Sequence, residues 1–288
     1  MAARANVAFR SIATRKATRV VLFVPLIAYT LFSTGPFLWT FALSLRRTQD
    51  IYRNPLGLPA AIHFDQYSKI LSEFGFFLYF RNSFIVTIGA LALITLTASL
   101  AAFVLARRRY SFPLREHLFM LIFMAIMLPP QVTVLSLYQL MVKYHLYNTL
   151  LGLILVYAAT ELPLAIYLLR AFYAQIPGEL EDAALLDGCN DFSLFWQVMF
   201  PIARPAVATV VVLNLIRFWN EYLYASVLVT SRDVRTIPLA TMFLLGENYA
   251  DLGMLAAGLV ISCLPIIVLY VFLSESFIVG MTAGALKG

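Results

Sequence analysis

The sequence predicts an all-α polytopic membrane protein with six transmembrane helices and both termini on the cytoplasmic side. Three observations point there. Of its 288 residues, 61% are hydrophobic and only 12% charged, with a mean hydropathy of +0.84. A soluble domain carries about a quarter charged residues, so this much apolar surface finds burial only in lipid. Apolar runs of spanning length recur along the chain, divided by polar segments. Lys and Arg gather in alternate connections, and that bias sets an orientation.

The first run covers residues 20–45 and carries Pro25 and Pro36 as expected kinks. It is too long for a signal-peptide core and no cleavage site follows, so it reads as a retained span. The second run is 83–106. The third is 118–140, interrupted by Pro129-Pro130. The fourth is 150–169, the fifth 205–229 and the sixth 255–278. Each can cross about 30 Å of hydrocarbon. Arg4, Arg10, Arg15, Lys16 and Arg19 precede the first span, and Arg107, Arg108, Arg109 and Arg115 lie between the second and third. These segments face the cytoplasm, and parity then places the connection around 171–204 there too. The outer loops are 46–81, 141–149 and 230–254. In the first of them, residues 64–71 read as a short interfacial helix with an Asp65–Lys69 pair. Nothing separates a second domain, so 1–288 reads as a single transmembrane domain.

The connection between the fourth and fifth spans is unlike the rest. Glu179, Glu181, Asp182, Asp187 and Asp191 lie in it without a Lys or Arg among residues 171–203. Pro177-Gly178 breaks the chain, and the carboxylates that follow favour the positive end of a helix. Ala183 and Ala184 are small enough for another surface to approach. Gly188 suits a left-handed stop, and Asn190 or Asp191 can cap a second helix. In that helix Phe192, Phe195, Trp196 and Met199 make one apolar stripe, and Pro201 closes it. The product is a helix–turn–helix with acidic charge. Nucleic acid is excluded as a partner, since that affinity rests on cations meeting phosphates. Two readings remain: a solvated loop packed on the spans, or a docking knob for a cytoplasmic protein.

Catalytic chemistry is not legible. The chain has no phosphate-binding G-x-x-x-x-G-K-[ST] loop, no G-x-S-x-G, no H-E-x-x-H and no C-x-x-C. Cys189 and Cys263 make no disulfide framework, and His63, His117 and His145 are too scattered for a metal site. Polar groups at depth are more telling, because intramembrane charges normally face a bundle interior or a wet path. Arg217, Trp219, Asn220, Glu221 and Tyr222 lie inside the fifth span. They either line a solute path or contain an internal Arg217–Glu221 pair with no substrate contact. Pro129-Pro130 and Pro265 are kinks that can also free backbone groups toward a cavity.

The stretch IPGELEDAALLDG…FPIARP resembles the cytoplasmic loop of permeases of ABC importers. Asp182 stands where Glu is commoner, and Cys189-Asn190 where Ala-Ser or Ala-Thr is usual; neither changes the charge or the turn. Asp65-Gln66-Tyr67, Arg81-Asn82-Ser83, Trp219-Asn220-Glu221 and the tail 280–288 extend the likeness over nearly the whole chain, toward the shorter, six-span permease of maltose-type importers. The resemblance implies the ABC-importer permease fold and carbohydrate uptake. It implies that Glu179, Glu181, Asp182, Ala183, Ala184, Asp187, Gly188 and Pro201 couple to an ATPase, and that tail residues Gly284 and Lys287 touch it. It also implies a second permease subunit forming a heterodimer, two ATPase subunits that bind ATP and Mg with no cofactor in this chain, an extracytoplasmic solute-binding protein and a sugar substrate. The setting is the bilayer of a prokaryotic inner membrane. Glycerol phosphate, a polyol or another small polar solute is the alternative cargo, and an ion-coupled secondary transporter the alternative class.

Overall fold

The structure, a computed structural model, describes residues 2–72, 74–247 and 251–285, with side chains over 23–72, 74–107, 109–243 and 251–268. Every regular element among the described residues is helical. In chain order these are α1 (Ala2–Ser44), α2 (Thr48–Arg53), α3 (Asp65–Ser72), α4 (Phe76–Ala106), α5 (Arg115–Ala125), α6 (Pro130–Lys143) and α7 (Leu150–Tyr173), then α8 (Gly178–Leu186), α9 (Asp191–Ser193), α10 (Phe200–Ile202), α11 (Arg204–Trp219), α12 (Leu223–Leu228), α13 (Ile237–Glu247) and α14 (Leu252–Ala285). Residues Leu194–Met199 form a π-helical segment between α9 and α10.

By length and composition Phe23–Ser44, Phe76–Ala106 and Leu150–Tyr173 can each cross a membrane. The third expected span is two helices, α5 and α6, meeting at 102°. Pro130 opens α6 and has no N–H to continue a ladder, so the chain turns there. The fifth expected span is broken as well. The helical segment Asp191–Ile202 meets α11 at 73°, and α11 stops at Trp219 before the short α12.

The described residues sort into two compact units. One comprises 2–72 with 251–261. Within it the buried Arg46 guanidinium donates to the carbonyls of Gly57 at 2.7 Å, Asp50 at 2.7 Å and Asn54 at 2.9 Å, which ties the loop after α2 to the end of α1. Asp251 caps α14 by accepting from Met254 N at 2.9 Å, and Thr48 hydrogen-bonds the same carboxylate. The expected interfacial helix is present as α3. Its Asp65 faces Arg47 at 3.9 Å, in place of the expected Lys69, and both side chains are exposed. Exposed i,i+4 pairs contribute only tenths of a kcal/mol, about 0.3–0.5, so a competing cation displaces them readily.

The second unit comprises 74–247 with 262–285, and its core is the face between α4 and α7. Small residues set that face. Ala90, Ala98 and Ala102 of α4 and Ala165 of α7 are buried, and a Cβ added at Gly89 would lie 2.8 Å from Ile154 Cδ1. Small side chains let helices approach closely, the usual means of association in lipid, where apolar burial supplies no driving force between helices. α11 and α13 pack on the same α4. Near its N-terminal end Asn82 Nδ2 donates to the carbonyls of Asp233 and Arg235 at 2.7 and 3.0 Å, and Ser83 Oγ accepts from Ile237 N at 2.8 Å.

Candidate functional site

The acidic connection folds as α8 followed by α9, and local sequence explains its ends. Pro177 is extended and closes the chain after α7, and Glu179 and Glu181 occupy the first turn of α8. At the other end Gly188 has φ +85°. Its N–H donates to Leu185 O at 3.0 Å, and Cys189 N donates to Ala184 O at 3.0 Å. These paired bonds are a Schellman closure, which needs the left-handed residue that glycine supplies without strain. Asn190 caps α9, its Oδ1 accepting from Ser193 N at 2.9 Å.

The eight predicted coupling residues do not all face outward. Glu179, Asp182, Ala183, Asp187 and Gly188 are exposed, and with them Leu186, at 89% of its surface, and Leu180. Ala184 is buried, Pro201 is partly buried, and Glu181 is turned inward, 6% exposed. Arg107, at the end of α4, receives Glu181: its Nε and Nη2 lie 2.7 and 2.6 Å from Glu181 Oε2. Nη1 of the same guanidinium donates to Tyr173 O at 3.2 Å and Ile176 O at 2.8 Å. A second tie reaches α9. Tyr110 Oη donates to Asp191 Oδ1 at 2.9 Å, and Arg109 Nε to the same atom at 3.3 Å. Burial, then the hydrogen bond to Asp191 and its negative charge, push the Tyr110 hydroxyl up to about 12, so it stays protonated and donates across the physiological range. Sequence reasoning named these arginines only as topology signals. Arg107 and Glu181 are 74 residues apart, and no local rule links them.

The stripe expected at Phe192, Phe195, Trp196 and Met199 is corrected. Phe195 and Met199 are buried, yet Phe192 is 74% exposed and Trp196 37%, while Leu194 is fully buried. The expectation assumed 3.6 residues per turn. The π-helical winding over Leu194–Met199 fits more residues into each turn, so a 3.6-residue spacing no longer sets which side chains face inward.

Of the two readings open for this stretch, the internal Arg217–Glu221 pair is not what the structure shows. Arg217 Nη1 contacts Glu161 Oε2 of α7 at 2.5 Å. Because α11 ends at Trp219, residues 217 and 221 never share a helical face. Glu221 instead caps α12, accepting from Tyr224 N at 2.7 Å and Ala225 N at 3.1 Å. Trp219 is buried, edge-on to Phe80, and its Nε1 donates to Ser262 O at 3.2 Å. Asn220 and Tyr222 are exposed at the break. Of the predicted path residues, Arg217 meets one cavity-lining residue, Glu161, and Glu221 accepts from the backbone of another, Tyr224. That cavity, of about 580 Å³, lies beside the α5–α6 bend and is lined by Pro130, Thr133, Ser136, Thr160, Glu161 and Tyr224 among others. Thr133 Oγ1 and Tyr224 Oη are 3.0 Å apart. Sequence reasoning missed Glu161, whose signal is a carboxylate inside an apolar run, the criterion that found Arg217.

Gly284 falls in α14 beyond the described side chains, and Lys287 lies outside the described residues. Among the described residues no His, Cys, Asp and Glu cluster is arranged to hold a metal ion.

Residues 94–279 match the family described as binding-protein-dependent transport system inner membrane component. The arabinooligosaccharides transport system permease protein AraQ of Halalkalibacterium halodurans is 33% identical over 260 residues, covering 88% of this chain and 91% of AraQ. The melibiose/raffinose/stachyose import permease protein MelC of Bacillus subtilis is 31% identical over 254 residues, covering 88% of this chain and 91% of MelC. In structure the chain is similar to one in a crystal structure of a bacterial ABC transporter involved in the import of the acidic polysaccharide alginate. The TM-score is 0.79 at 23% identity, over 91% of this chain and 97% of the other, which shows a shared fold. A match over most of the length to one family, relatives of this identity and the common helical fold agree, and the chain belongs to the inner membrane components of binding-protein-dependent transport systems, as an ABC transporter permease.

Proposed function

We propose that this chain is one permease subunit of an ATP-driven importer that moves a sugar or oligosaccharide handed over by an extracytoplasmic binding protein. The observation that carries the reading is α8: an acidic helix closed by Gly188, with Leu180, Leu186, Glu179 and Asp182 outward and Glu181 tied inward to Arg107. One face of the loop is offered to a partner and the other is fixed to the spans. The partner is an ATPase subunit, one of a pair that hold ATP and Mg. The spans number six, form one transmembrane domain with both termini in the cytoplasm, and sit in a prokaryotic inner membrane beside a second permease subunit. The tail with Gly284 and Lys287 adds to the ATPase contact.

The relatives' carbohydrate cargoes support the substrate class. So does the cavity, where Thr133, Ser136, Thr160 and Tyr224 offer hydroxyls around Glu161. Closure of the ATPase pair on ATP pushes α8 and favours an outward-open state while the loaded binding protein is docked; hydrolysis resets it. The test is reconstitution of the complete complex in liposomes with its binding protein. Uptake is expected to require ATP inside and to be competed by an oligosaccharide. Uptake driven by an ion gradient without ATP overturns the importer reading.

A further inference from the structure

We propose that Arg107 is the positioning residue through which a push on α8 reaches the spans, an inference that rests on the coupling reading of that loop. Arg107 stands where α4 ends, its N–H still bonded to Phe103 O at 3.2 Å and its backbone extended at φ −88°, ψ 132°. All three guanidinium nitrogens are engaged. Two hold one oxygen of Glu181, and the third holds two carbonyls, Tyr173 O and Ile176 O, at the end of α7. Arg107's own carbonyl accepts from Arg115 Nη1 at 3.0 Å, at the start of α5. Arg115 and Arg170 both pair with Glu116, and Arg170 also donates to Leu105 O. One residue, by its side chain and its carbonyl, thus joins α8 to the cytoplasmic ends of α4, α5 and α7.

Its surroundings make this joint stiff. The Arg107 and Glu181 side chains are 7% and 8% exposed, so water and salt screen the pair far less than an exposed one. One of the two carbonyls, Tyr173 O, is the last of α7, where the peptide dipoles favour a cation, and the other, Ile176 O, lies in the turn that follows. The planar fork reaches a carboxylate and a carbonyl pair at once, a geometry that lysine cannot reproduce. The tie from Arg109 to Asp191 is of another kind, with both side chains about half exposed and open to competition from water. A displacement of α8 must therefore carry α4 and α7 with it through Arg107, or break a buried charge pair.

The experiment uses the complete complex in proteoliposomes with its binding protein, comparing wild type with Arg107→Lys and Arg107→Gln at matched amounts of assembled complex. The readout is the ratio of ATP hydrolysed to solute imported, together with the stimulation of hydrolysis by loaded binding protein. Residues that only help the chain to fold change the amount of complex and leave this ratio alone. Arg107→Lys is expected to assemble but to import roughly 5- to 150-fold less per ATP, the range of allosteric coupling. A wild-type ratio in both variants overturns the proposal, as does loss of assembly in both, which assigns Arg107 to folding. If the Gln variant alone fails to assemble, the Lys variant decides. A failure of the importer reading shows instead in the wild-type complex, as uptake independent of ATP.

Discussion

At Gly188 the backbone is left-handed and an added Cβ meets no atom within 4 Å, so a substitution there is penalised by conformation and not by crowding. Alanine costs roughly 1–2 kcal/mol of local strain, asparagine less, and a β-branched residue more. Uptake and retention of the ATPase in pull-downs should therefore fall in the order Gly188→Asn, Gly188→Ala, Gly188→Val. A Val variant that docks and transports normally would show that the Schellman closure is dispensable. Arg217 and Glu161 give a second residue-scale prediction. Arg217→Glu should impair assembly, and adding Glu161→Arg should restore it. Uptake should stay low in the double variant, because a donor and an acceptor have traded places at the cavity wall. Full recovery of uptake per assembled complex would make the pair structural and remove both residues from the solute path. Gly188 was legible in the sequence because a helix end is a local event. Arg217's partner was not, since Glu161 lies on another helix and the break after Trp219 removed the i,i+4 geometry that periodicity assumed.

Among elements, the π-helical segment is where pattern reading and structure part. Leu194 is fully buried, and Leu194→Ala should cost about 2–5 kcal/mol, the range for a core leucine. Phe192→Ala should change stability by no more than about 0.5 kcal/mol, as expected of a surface site. Thermal unfolding in detergent, read at equal lipid and detergent content, measures both. The reverse ranking would restore the regular 3.6-residue stripe. The bends have a similar lesson. Pro129-Pro130 marked a kink in the sequence, yet the 102° turn between α5 and α6 also depends on packing against α7, which composition does not encode. The break after α11 had no proline to announce it; what holds it is the Glu221 carboxylate on the first N–H groups of α12.

For the whole molecule, the membrane class and the three runs that fold as single helices of spanning length were readable because composition and run length are global properties. What was not readable is which helices pair. α4 packs most on α7, not on its neighbour in sequence, and that choice has a consequence during synthesis. The ribosome must add the segment from the end of α4 to the end of α7 before the pair can close, which takes roughly 3 to 13 s at 5–20 residues per second. Through that interval α4, with its buried polar residues Asn82, Ser83, Thr87 and Ser99, lacks the helix on which it packs most. Asn82 and Ser83 wait longer still, until residues 233–237 emerge to take their hydrogen bonds. Nascent chains stalled before residue 150 should therefore crosslink through α4 to the insertion machinery, and chains stalled well past residue 173 should lose much of that crosslink. Equal crosslinking at both lengths would mean that α4 leaves the machinery alone and meets α7 later in the bilayer. The order of translation thus sets a period of vulnerability for the helix on which the second unit is built.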